Sequence, residues 1–267
     1  MKTRAITGFF FVAVMLASIL LGSYLFTVFF LLLAILATDE FYRLVRTSVR
    51  PQRIPGYVLA GVIFSGVAYQ YIYGGSASWL LAAVPVLTWI YIRELYRNLP
   101  NPFHNIAYTL FGVIYAAVPF CFFYALGFYT GEYASHFPMA FLVMLWSSDT
   151  GAYLFGSKWG KHKLFERHSP KKTWEGFAGG LLVSGLAAVI FSQYFDDLSL
   201  PEWIGMSVII AAVGTLGDLA ESMLKRSLSA KDSGSLLPGH GGVLDRFDGL
   251  LLSAPVVFVY LQLLRIL

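Results

Sequence analysis

Long apolar segments recur along the whole chain, and they constrain its fold more than any other feature. A helix that crosses a bilayer needs about 20 mostly apolar residues, and candidate segments lie at about 5–21, 24–40, 56–73, 78–95, 106–128, 138–156, 174–194, 203–226 and 249–266. Hydrophobic residues make up 57% of the chain and charged residues 13%, which is too apolar for an ordinary soluble domain. We therefore expect an all-α, polytopic integral membrane bundle of about nine transmembrane helices, in the cell membrane.

The basic residues predict the orientation of this bundle. With nine spans and a cytoplasmic N-terminus, all 19 Lys and Arg residues except Arg265 fall on the cytoplasmic side, as positive-inside sorting requires. The proposed outer loops instead hold Glu132, Asp196, Asp197 and Glu202. An alternative with eight spans fuses the first two segments across residues 22–24, but it moves Lys2 and Arg4 outside, so we rank it second.

The composition of the chain argues against several classes of protein. A formal net charge of +4 is explained by the cytoplasmic loops, so we expect no nucleic-acid partner. Cys121 is the only cysteine and lies in an apolar run, which leaves neither a disulfide framework nor a cysteine-ligated metal site. The first apolar run continues to about residue 37 without a convincing cleavage site, and we interpret it as a retained membrane anchor.

Polar residues concentrate near the end of the eighth segment. Asp218, Ser222 and Lys225 follow i, i+4, i+7 spacing, so one helix face presents a carboxylate, a hydroxyl and an ammonium. An ionisable residue at membrane depth is costly and is by default a functional candidate. The structural alternative is a simple salt bridge between Asp218 and a neighbouring cation.

A glycine-rich stretch and two further carboxylates follow. Glycines such as Gly241 and Gly242 allow positive φ angles, and such a loop can direct N–H groups at phosphate oxygens. His240 either contacts phosphate or caps the turn. Asp245 and Asp248 then precede the last segment, and a donor set made only of oxygens suits a hard cation such as Mg²⁺.

These residues form one continuous motif. The run from Ser222 to Asp248 reads SMLKRSLSAKDSGSLLPGHGGVLDRFD, and it resembles the sequence motif of the phosphatidate cytidylyltransferase family, also called CDP-diacylglycerol synthases. The serine, the Lys-Arg and Lys-Asp pairs, Pro-x-His-Gly-Gly and Asp-Arg-x-Asp are all in register, without a departure from the family pattern.

A second region, Ser147–Tyr153 followed by Ser169–Gly176, resembles the same family. It places Asp149 in an apolar segment and six cations in the loop that follows. Such a loop attracts CTP, the lipid headgroup or anionic lipid in general. We assign substrate phosphate to Lys171 and Lys172.

The resemblance implies a reaction and a set of roles. CTP and phosphatidate would give CDP-diacylglycerol and pyrophosphate with Mg²⁺, in the membrane and at its cytoplasmic face, as a step of phospholipid biosynthesis. The predicted catalytic residues are Asp218, Asp245, Lys225 and Ser222. The predicted metal ligands are Asp218 and Asp245 for the principal metal, with Asp248 and Asp149 for a second cation or the outer shell. The predicted substrate-binding residues are Arg226, Lys231, Asp232, Gly241, Gly242, Arg246, Lys171 and Lys172.

Two other functions and one assembly were weighed. A CTP-dependent polyprenol or phytol kinase would let a lipid hydroxyl attack the γ-phosphorus, with Asp149 or His240 as base. A transporter predicts inverted repeats, and none is evident. Motifs fall only in a catalytic region at 136–267, and the motif-free helices of 1–135 leave room for a homodimer interface.

Overall fold

The computed structural model describes residues 2–167, 169–230, 232–234 and 241–266. It is mainly helical, as predicted. The chain forms two compact units, one made by residues 1–125 with 227–246 and the other by residues 126–226 with 247–267. Each unit has its own packed interior.

In the described part of the first unit there are six α-helices and two short irregular helices. These are α1 (Lys2–Leu20), α2 (Ser23–Val45), α3 (Arg53–Tyr73), a 3₁₀ helix (Ala77–Ala82), α4 (Ala83–Tyr96), α5 (Pro102–Gly112), a π-helix (Val113–Ala117) and α6 (Val118–Leu126). Aromatic side chains fill the space between α2 and α6, where Phe26 stacks on Tyr124 at 5.1 Å between ring centres. Tyr124 also shares a hydrogen bond with Thr27 at 2.9 Å.

The described residues of the second unit form four helices and a hairpin. These are α7 (His136–Trp159), β1 (Lys163–Phe165), β2 (Ser169–Thr173), α8 (Trp174–Ser192), α9 (Leu200–Ser227) and α10 (Leu244–Ile266), whose first residues belong to the first unit. β1 and β2 pair antiparallel. This hairpin was not predicted, because strands of three and five residues leave little periodicity to detect.

Small residues hold α7 against α8. A Cβ on Gly151 would lie 2.6 Å from the carbonyl oxygen of Gly179, and one on Gly180 would lie 2.9 Å from that of Ser148. The two helix backbones therefore approach more closely than larger side chains would permit, which is a common way to associate helices in a bilayer. Their packing fixes the position of Asp149, one residue after Ser148, relative to the start of α8.

Several helices are suited to cross a membrane. Within the described residues, the predicted apolar segments all overlap helical segments, and six of these are long and apolar enough to span a bilayer: Ser23–Val45, Ala77–Tyr96, Pro102–Leu126, Trp174–Ser192, Leu200–Ser227 and Leu244–Ile266. The protein is thus a polytopic helical membrane protein. The count of nine spans and the cytoplasmic N-terminus stay predictions.

The first two apolar segments are separate helices. α1 ends at Leu20, and Gly22 adopts a φ of 113° before α2 begins. This conformation favours glycine and interrupts helical hydrogen bonding. The alternative of one continuous helix across residues 22–24 is therefore not what the structure contains.

Candidate active site

Three carboxylates meet where α9 and α10 pack together in the second unit. Asp218, Glu221 and Asp248 each offer an oxygen, and these atoms all lie within 4.8 Å of one another. Asp218 is partly accessible, with 38% of its side chain exposed, whereas Glu221 is 1% exposed. Three like charges so close repel one another, so the cluster is stabilised by neighbouring cations or by a proton on one of the carboxyl groups.

Glycines allow this convergence. A Cβ on Gly217 would overlap the carbonyl oxygen of Asp248 and lie 3.2 Å from the Cα of Gly249. A Cβ on Gly249 would in turn lie 3.5 Å from the carbonyl oxygen of Gly214. The backbones of α9 and α10 are thus in contact, which brings Asp218 next to Asp248.

Two lysines neutralise part of this charge. Lys172 Nζ lies 2.5 Å from Asp218 Oδ2, and Lys225 Nζ lies 2.6 Å from Glu221 Oε2. Ser222 Oγ donates to Asp218 Oδ1 at 3.3 Å. The hydrogen bond confirms that Asp218 and Ser222 share one helix face, whereas Lys225 pairs with Glu221 one turn before it. The salt bridge weighed for Asp218 is therefore present, with Lys172 as the partner.

Asp149 belongs to the same neighbourhood. It is an exposed residue at the middle of α7, and its carboxylate interacts electrostatically with Lys172, Asp218 and Asp248. The close packing of α7 against α8 positions Asp149 near these residues. The predicted residues Asp149, Lys172, Asp218, Ser222, Lys225 and Asp248 are thus brought together in one unit.

The hairpin positions Lys172 at the entrance to α8. Thr173 caps this helix, because its Oγ1 accepts a hydrogen bond from Gly176 N at 3.1 Å. Glu175 accepts from the backbone N–H groups of Lys161 and His162, which ties the start of the hairpin to the helix. Lys171 lies on the same strand and is exposed.

The glycine-rich segment lies in the first unit. Asp245 Oδ2 accepts hydrogen bonds from Ser233 N at 3.0 Å and Gly242 N at 2.9 Å, so it joins the two described ends of the loop. Gly241 has a φ of 82°, as expected for a glycine that turns the chain. The metal role of Asp245 stays a prediction.

Glu40 supports this segment from α2. Its Oε2 accepts a hydrogen bond from Leu244 N at 2.7 Å, and the side chain is 6% exposed. A Cβ on Gly234 or on Gly242 would overlap the Glu40 carboxyl group. Both glycines therefore let the backbone close around a buried carboxylate.

Comparison with known proteins identifies the class of this site. The model of the cytidylyltransferase family matches residues 2–264. The chain belongs to this family. It is therefore a nucleotidyltransferase, and the resemblance carried by Ser222–Asp248 is confirmed.

Curated relatives of this cytidylyltransferase cover its full length. A phosphatidate cytidylyltransferase of Staphylococcus aureus (strain COL) is 34% identical over 98% of this chain and 99% of the relative. The phosphatidate cytidylyltransferase of Staphylococcus haemolyticus (strain JCSC1435) is 33% identical over the same shares. The similarity includes the N-terminal helices, where the sequence offered no motif. The transporter alternative is set aside by these findings.

The remaining predicted residues of the cytidylyltransferase belong to both units or lie outside the described residues. Arg226 is exposed near the end of α9, and Asp232 and Arg246 are exposed in the first unit. Lys231 and His240 lie outside the described residues. The substrate-binding roles assigned to these residues stay predictions.

Two carboxylates were not among the predicted site residues. Glu221 is three residues after Asp218, and an acid within a polar helix end is a signal that the sequence does offer. Glu40 lies 204 positions before its partner Leu244. Its only local signal is a carboxylate at the end of an apolar segment.

Proposed function

We propose that this cytidylyltransferase converts CTP and phosphatidate into CDP-diacylglycerol and pyrophosphate. The observation that carries the proposal is the cluster of Asp218, Glu221 and Asp248 beside Lys172 and Lys225. Relatives that are named phosphatidate cytidylyltransferase and align over nearly the whole chain support the choice of lipid substrate.

The reaction requires little acid–base chemistry from the protein. A phosphate monoester has its second pKa near 6, so phosphatidate is largely ionised at neutral pH and can attack the α-phosphorus directly. The difficulty is the approach of two anions and the departure of pyrophosphate. Positioning and electrostatic stabilisation should therefore supply most of the rate acceleration.

Lys172 and Lys225 are positioned to neutralise negative charge on the substrates and on the departing pyrophosphate. Each ammonium lies within hydrogen-bonding distance of a carboxylate in the cluster, so both cations are next to the acids that would hold a metal ion. In the proposed complex these lysines, with Arg226 and Lys171, contact the phosphates of CTP and of the lipid. Ser222 orients Asp218 through its hydrogen bond.

The acidic cluster fits a divalent cation. Three carboxylates against two lysines leave negative charge uncompensated, and oxygen donors suit Mg²⁺. Asp218, Glu221 and Asp248 would hold the ion, and Asp245 and Asp149 remain candidates for the principal and second sites. When bound, Mg²⁺ would neutralise the triphosphate and stabilise the departing pyrophosphate.

The substrates favour an active site at the cytoplasmic face. CTP is a cytoplasmic nucleotide, whereas phosphatidate lies in the bilayer, so the site should open to both. The positive-inside distribution favours the cytoplasmic side for the hairpin and the glycine-rich loop. The proposal does not require the homodimer for which the N-terminal helices leave room.

Position-specific labelling of CTP tests the reaction. Purified protein in mixed micelles would receive Mg²⁺, phosphatidate and CTP labelled at either the α- or the γ-phosphorus. We expect α-label in the lipid and γ-label in pyrophosphate. Label from the γ position on a supplied lipid alcohol would instead assign a lipid kinase and contradict the proposal.

A further inference from the structure

The first unit contains a basic cavity made by residues outside the two family motifs. Its volume is about 440 Å³, and we call it the arginine cavity. It is lined by Tyr42, Arg46, Arg50, Pro51, Arg53, Arg97 and Leu99. Four of these residues carry a guanidinium group and none carries a carboxylate. A cavity of this size and charge is suited to an anionic group.

Two of the four arginines have acidic partners outside the cavity. Arg53 is paired with Asp39, and Arg97 Nη1 lies 2.8 Å from Glu94 Oε2. Among the described residues, neither Arg46 nor Arg50 has a carboxylate within salt-bridge distance of its guanidinium. Positive charge therefore remains available to a ligand.

A buried polar network fixes the wall of the arginine cavity. Arg50 N donates to Asn105 Oδ1 at 2.8 Å, and Arg97 Nη1 donates to Arg50 O at 3.0 Å. Asn105 Nδ2 and Gln52 Nε2 both donate to the Glu94 carboxylate, at 2.8 and 2.7 Å. Asn105, Gln52 and Glu94 are each at most 5% exposed. A preformed wall reduces the entropy lost when a ligand binds.

The position of the arginine cavity along the helices points to a membrane lipid. The candidate spans Ser23–Val45 and Ala77–Tyr96 end one residue before Arg46 and Arg97 respectively. Leu95, two residues before Arg97, is 77% exposed and would face acyl chains in a bilayer. Basic residues at the ends of spans lie at the depth of lipid phosphates, and pockets of this kind bind anionic headgroups.

We propose that the arginine cavity binds the phosphate group of an anionic membrane phospholipid. Arg46 and Arg50 supply the free guanidinium groups, and planar guanidinium forks match phosphate oxygens in pairs. Arg53 and Arg97, held by their acidic partners, complete the positive wall. The inference rests on the cavity alone and does not depend on the reaction proposed above.

Lipid binding by paired variants tests this site. Full-length protein would be titrated in neutral detergent with dioleoylphosphatidylglycerol or dioleoylphosphatidylcholine, and bound lipid would be counted by native mass spectrometry. The test variant is Arg46→Gln with Arg50→Gln. The matched control is Arg43→Gln with Arg93→Gln, which removes the same charge from α2 and α4 outside the cavity lining.

We expect wild type to retain phosphatidylglycerol in preference to phosphatidylcholine. The cavity variant should lose at least about tenfold in affinity for phosphatidylglycerol, and the control should stay within about twofold. Equal losses in the two variants would overturn the proposal, because binding would then follow net charge. Glycerol 3-phosphate tests whether a soluble phosphate ester binds instead. If its binding depended on Arg46 and Arg50 while binding of the lipid did not, the assignment of a membrane phospholipid as the ligand would be wrong.

Discussion

Substitution of Glu40 tests whether the glycine-rich segment is held by a distant helix. Glu40 is almost fully buried in α2, and its Oε2 accepts a hydrogen bond from Leu244 N at 2.7 Å. The segment that ends at Leu244 is predicted to bind the triphosphate. Loss of this carboxylate should therefore weaken the use of CTP without removing a group that contacts the substrate.

The expected effect follows from the hydrogen bond. Glu40→Ala leaves the buried Leu244 N–H without its acceptor, which costs about 1–3 kcal/mol. If this free energy is lost from the ordered conformation of the segment, kcat/KM for CTP falls by about 5–150-fold. Glu40→Gln keeps the shape and one acceptor oxygen, so it should lie between wild type and Glu40→Ala.

Initial rates at varied CTP concentration measure this prediction. The matched control is Glu132→Ala, which removes an exposed carboxylate from the second unit. A Glu40→Ala variant with the wild-type kcat/KM for CTP would refute the reasoning, because the buried hydrogen bond would then make no contribution to the site.

Two further predictions concern the acidic cluster and the helices that form it. Glu221→Gln should raise the Mg²⁺ concentration for half-maximal activity by about tenfold or more, because a charged oxygen donor is lost while Lys225 keeps a neutral acceptor. An unchanged Mg²⁺ titration would exclude Glu221 from the metal site. Gly217→Ala should shorten the half-life of thermal inactivation, because the added methyl overlaps the carbonyl oxygen of Asp248 and overpacking costs about 1–3 kcal/mol. Gly185→Ala is its control, since a Cβ there meets no atom within 4 Å, and equal half-lives of the two variants would contradict the close packing of α9 and α10.

The helices could be predicted because the bilayer imposes long apolar segments. Their ends were less predictable. α2 continues to Val45 and α7 to Trp159, beyond the apolar parts, because helical hydrogen bonds persist after hydropathy falls. Hydropathy detects the part of a helix at lipid depth, whereas the polar ends of these helices carry residues near the site.

The candidate site was predictable where one helix or one motif contains it. Asp218 and Ser222 share a face by helical periodicity, and the hydrogen bond between them agrees with it. The proximity of Glu221 to Asp248 depends on the glycine contacts between α9 and α10, and the role of Glu40 depends on a partner far along the chain. Periodicity within one helix contains no information about either contact.

The most direct test of the central claim compares carboxylate variants in the α-label transfer assay. Asp218→Asn and Asp245→Asn should each lose at least about a hundredfold in transfer of α-label to phosphatidate, while purified protein keeps its elution volume and thermal stability. Asp196→Asn, at an exposed carboxylate in the second unit, should transfer label at the wild-type rate. Substantial transfer by Asp218→Asn would contradict the proposed metal cluster, and substantial transfer by Asp245→Asn would exclude Asp245 from the principal metal site.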